Sequence, residues 1–63
     1  MKKELKQAII NHIFENSTDF QLINNTTDKF RAYIYDSKGD YLIGGNEVYE
    51  FIKDAIELIT TQY

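Results

Sequence analysis

This chain of 63 residues has no cysteine, no proline and no tryptophan, and only three glycines. Without cysteine there is no disulfide and no thiolate metal site, so two common staples of a small domain are missing. A chain this short buries a modest fraction of its surface, so it must hold together by close packing or by association. No apolar run approaches the roughly 20 residues that cross a bilayer. The basic start Met1-Lys2-Lys3-Glu4-Leu5 leads into no uninterrupted apolar segment and no small-residue cleavage site. Asn16-Ser17-Thr18, Asn24-Asn25-Thr26 and Asn25-Thr26-Thr27 have N-glycosylation spacing but, with no leader, read as loop composition. The expectation is a cytoplasmic protein, in keeping with the reducing compartments where cysteine bridges are rare. A net charge of −3 argues against binding that works by phosphate neutralisation.

Catalytic signatures are missing as well. The chain has no nucleophile elbow, no HExxH and no phosphate-binding glycine loop. Gly44-Gly45 precedes a helix, but Glu47 in its first turn repels an anion. The one histidine, His12, sits among Leu5, Ala8 and Ile9 on an apolar helix face. That placement predicts a half-buried imidazole with one hydrogen-bond partner rather than a ligand or a base. The expectation is a non-enzymatic protein with no cofactor and no metal.

Two segments have helical periodicity. Over Lys3 to Glu15, Leu5, Ala8, Ile9, His12 and Ile13 share a face that Ile10 and Phe14 widen. The lysines at its start oppose the helix dipole, and Asn16-Ser17-Thr18-Asp19 is a natural stop. From Asn46, a good N-cap, to about Ile59, a second face gathers Val48, Phe51, Ile52, Ala55, Ile56 and Ile59. Glu47, Glu50, Asp54 and Glu57 fall within a narrow arc of its other side. The end, Thr60-Thr61-Gln62-Tyr63, is expected to fray.

Between the helices the pattern reads as strand. Phe20-Gln21-Leu22-Ile23 is a short strand candidate, and Asn24-Asn25-Thr26-Thr27-Asp28 a polar loop. Phe30 to Ile43 reads as a β-hairpin turning at Asp36-Ser37-Lys38-Gly39. With Gly39 left-handed in a G1 bulge, Asp36 pairs with Asp40, Tyr35 with Tyr41, Ile34 with Leu42 and Tyr33 with Ile43. Phe30, Ala32, Ile34 and Leu42 then form the core face, and Arg31, Tyr33, Tyr35, Tyr41 and Ile43 the other. The predicted architecture is one α+β domain over residues 1–63, a two-layer helix–three-stranded antiparallel sheet–helix, with both helices on the apolar side.

The outer hairpin face is the functional expectation, because tyrosine supplies large contact area at low entropic cost. Tyr33, Tyr35 and Tyr41 are the aromatic anchors, Ile43 the apolar filler, and Arg31, Asp36 and Asp40 the polar rim. Two plainer readings stand beside it: tyrosine as a good strand former with a wet hydroxyl, and a second core layer under the C-terminal helix. The partner is expected to be a protein, with a homodimer as the alternative. A single-stranded nucleic acid stacking on the rings is a further alternative, opposed by the acids beside Arg31 and Lys38. The acidic surface Asp19, Glu47, Glu50, Asp54 and Glu57 reads first as a solvated face, or else as a site for a basic partner.

Asp19-Phe20-Gln21-Leu22, the hairpin Arg31-Ala32-Tyr33-Ile34-Tyr35 through Gly39-Asp40-Tyr41-Leu42-Ile43, and the acidic, isoleucine-rich helix resemble small phage anti-CRISPR proteins, which inhibit the Cas9 nuclease. The resemblance implies a phage or mobile-element origin and an inhibitor that presents carboxylates where the nuclease reads DNA. It further implies that Asp19 and Asp40 are the matching acidic contact positions.

Overall fold

The computed structural model describes residues 1–61 and is built on three helices: α1 over Lys3–Glu15, α2 over Leu22–Lys29 and α3 over Gly45–Thr60. The expected three-stranded sheet is not formed. Among the described residues the one strand-like pairing is an isolated antiparallel bridge between Tyr35 and Tyr41. The α+β architecture is therefore corrected to an all-helical one. Gln62 and Tyr63, expected to fray, lie outside the described residues, and Thr60 is the last residue of α3 with its hydroxyl bonded to the carbonyl of Ile56.

α1 and α3 form where the apolar periodicity places them. Ile9 and Ile13 of α1 and Val48, Ile52, Ala55, Ile56 and Ile59 of α3 are buried in one core. α1 and α3 run side by side in the same direction. The Met1 ammonium lies 3.5 Å from the Glu47 carboxylate, Lys6 reaches over the Phe51 ring, and Ile10 and Phe14 line one groove with Phe51 and Leu58 further along.

The second helix is the main departure. Phe20–Ile23, expected as a strand, straddles the start of α2, and the expected polar loop lies inside that helix. Its residues are mediocre helix formers, so packing rather than propensity holds it. Leu22, Thr26, Phe30 and Ile34 recur every four residues and are all buried, a helix-like series that carries the chain under α1 and α3. Phe20, at the start of the expected strand, is almost fully exposed.

The hairpin survives only at its tip. Gly39 takes φ +87°, the Asp36 N–H donates to the Asp40 carbonyl at 2.8 Å, and the Leu42 N–H donates to the Ile34 carbonyl at 3.0 Å. That is the expected register. Before Ile34 the backbone turns into a 3-10 segment, Arg31–Tyr33, closed by the Ile34 N–H donating to the Arg31 carbonyl at 3.0 Å. Tyr33 and Ile43 therefore do not pair. Phe30 and Ile34 are buried as the strand model required, but Ala32 and Leu42 are exposed. A four-residue spacing satisfies helix and strand templates alike, and only the exposed Ala32 separates them.

Candidate functional site

The segment from Arg31 to Gly44 forms a corner against the N-terminal end of α3, and the Asp36 carboxylate fixes its tip. One oxygen, Oδ1, accepts both the Lys38 N–H at 2.8 Å and the Asp40 N–H at 2.9 Å. Asp36 thus closes the turn with one carboxylate oxygen and stays exposed. Asp40 enters this network through its main chain, and its side chain is exposed.

The single tyrosine face expected from alternation is divided in two. On one side Tyr35 and Tyr41 pack ring to ring, 5.0 Å between centroids at 36°, a favourable cross-strand aromatic pair. Arg31 lies 5.3 Å over the Tyr35 ring, so this cation is occupied within the molecule. Tyr35 is half-buried against the core and is not a free anchor. The neighbouring Tyr35 hydroxyl, followed by desolvation, holds the Tyr41 phenol above its usual range. Tyr41 itself is about half exposed.

On the other side the 3-10 segment turns Tyr33 toward α1. There Tyr33 and Ile43 stand at the mouth of a hollow of about 590 Å³ walled by Met1, Leu5, Ala8, Phe30 and Val48, with Lys2, Glu4 and Glu47 around it. Ile43 is fully exposed and Tyr33 54% exposed. An uncovered isoleucine beside a half-open tyrosine over an apolar hollow is the arrangement of a contact surface. The α1 wall of this hollow was not foreseen. Its signal was Leu5 and Ala8 on a face taken wholly as core, of which Ala8 is exposed and Leu5 half-buried.

The acidic group is dispersed. Asp19 accepts the Gln21 N–H at 2.9 Å and the Asn25 side-chain amide, and these two bonds hold its carboxyl below the usual value of 3.8. It organises the entry to α2 and is committed there. Glu47 faces the chain's own ammonium group, and Glu50 lies 3.7 Å from Lys53. Asp54 borders the apolar groove between α1 and α3. Glu57 is exposed.

His12 packs edge-on against the Phe30 ring at 6.0 Å. Its Nδ1 lies 3.4 Å from the Asn16 amide, and its Nε2 is buried without a partner. Desolvation, followed by the nearby Lys29 charge, lowers its pKa from the ordinary 6.5. The ring is a packing element. Among the described residues no three His, Asp or Glu side chains are placed to hold a metal ion, and no helix is long and apolar enough to cross a membrane.

Comparison with protein-family models, curated proteins and solved structures gives no match for this chain.

Proposed function

We propose that this chain is a non-enzymatic protein-binding module that engages a partner protein through the corner at residues 31–44. The observation that carries this reading is Ile43, fully exposed beside Tyr33 on a loop that Asp36 locks in place. Locking the tip lowers the ordering cost of binding, while Tyr33, Tyr41 and Ile43 offer apolar and aromatic area to the partner. Asp40 supplies the exposed charge at the rim, and Arg31 and Tyr35 brace the surface from behind. We place the protein in the cytoplasm as an accessory or inhibitor protein of a phage or mobile element. The bias toward Ile, Lys and Asn, which an AT-rich bacterial or phage genome would give, supports that placement.

The test is site-specific photo-crosslinking in extract of the encoding cells. The photoreactive p-benzoylphenylalanine is placed at position 41 or 43, and at position 7 on the outer side of α1 as a control. A discrete adduct from 41 and 43, none from 7, and loss of the adduct in Tyr33→Ser with an unchanged circular dichroism spectrum are expected. Adducts of equal yield at all three positions, or none at 41 and 43, contradict the proposal.

A further inference from the structure

A second surface is independent of the corner: the groove of about 340 Å³ between α1 and α3. Its floor is apolar. Phe14 is 52% and Leu58 62% exposed, and Ile10 and Phe51 are half-buried beside them. Its two edges differ in charge. Lys6, over the Phe51 ring, stands at the α1 edge and Asp54 at the α3 edge, both exposed. None of these residues belongs to the 31–44 corner.

We infer that this groove is closed by a second copy of the same chain, related by a two-fold axis running along the groove. The charge pattern selects both occupant and orientation. Because α1 and α3 are parallel, a two-fold along the groove lays each α1 on the α3 of the other copy at the same height. Lys6, which sits over Phe51 one turn before Asp54, then faces the Asp54 of the second copy. At the far end Phe14 meets the other Leu58. A two-fold perpendicular to the groove would instead set Lys6 against the apolar Phe14 end and leave it unpaired. The same patch serves both partners, as an isologous interface requires, and the product is a four-helix layer. The groove is small beside the surface that standard-size specific interfaces bury. A reversible, concentration-dependent dimer follows, whose exposed ion pairs set register and salt sensitivity more than affinity.

Sedimentation equilibrium of the full chain over a dilution series tests this. A monomer–dimer equilibrium that weakens with salt is expected. Leu58→Glu should give a monomer with an unchanged circular dichroism spectrum, since Leu58 lies outside the core. Lys6→Glu and Asp54→Lys should each weaken association roughly tenfold or more, and the double variant should recover most of the loss. A monomer at every concentration overturns the inference, whatever else fills the groove. A dimer that survives Leu58→Glu, or a double variant no better than the singles, overturns it too. The photo-crosslinking result is read at other residues, so the two proposals fail separately.

Discussion

The backbone of Gly45 rests against the carbonyl of Ile34, so closely that a Cβ on Gly45 would collide with the carbonyl oxygen. This contact joins the first turn of α3 to the corner, and the neighbouring Leu42 carbonyl accepts the Gly45 N–H at 2.8 Å. The corner keeps its orientation to α3 because nothing larger than hydrogen stands between them.

Gly45→Ala should therefore cost about 2–3 kcal/mol of stability, the penalty of overpacking against backbone that cannot step aside. Gly44→Ala, at φ +84° but in open space, should cost only about 1 kcal/mol from left-handed strain. Urea unfolding of the two variants checks the order.

Thr26 is fully buried and its hydroxyl has no hydrogen-bond partner. Thr26→Val keeps the shape and removes the orphaned group, so it should stabilise the protein by about 1 kcal/mol. A higher denaturation midpoint at an unchanged slope is the expected result.

Acid should weaken the fold in two stages. His12 has a lowered folded pKa, so the unfolded chain takes up its proton first. The stabilisation is complete above pH 6.5 and declines as pH falls below it, until the folded value is reached. Asp19 also has a lowered folded pKa, so its contribution is present above 3.8 and is lost as pH falls through its folded value. His12→Leu should flatten the stability profile just below pH 6.5 while leaving the more acidic decline intact. Thermal melts across that pH series provide the measurement.

The Tyr35–Tyr41 hydroxyl pair predicts that Tyr41 ionises late. In an ultraviolet alkaline titration of the five tyrosines, one phenolate should emerge above the rest. Tyr35→Phe should return it to the common range.

α1 and α3 are legible because their apolar residues follow the helical period over three or more turns. α2 is not, since Asn24, Asn25, Thr26, Thr27 and Asp28 have low intrinsic helix preference and one core position is a threonine. The every-fourth series Leu22, Thr26, Phe30, Ile34 is visible only once threonine is admitted to the core. The turn at Asp36–Gly39 is legible because a left-handed glycine specifies it locally. The extent of the strands around it is set by tertiary contacts, in particular Gly45 against Ile34, which no local pattern encodes. For the site, Ile43 and Tyr33 follow from their positions. The half-burial of Tyr35 does not, because the 3-10 segment breaks the alternation that grouped the tyrosines.

The most direct test of the account is backbone amide chemical-shift mapping of the labelled protein against the partner recovered through the position-41 crosslink. Shifts concentrated in Arg31 to Gly44 and the first turns of α1 are expected, with Phe14 and Leu58 unmoved. Shifts centred on Ile10, Phe14 and Leu58, with the corner silent, would contradict it.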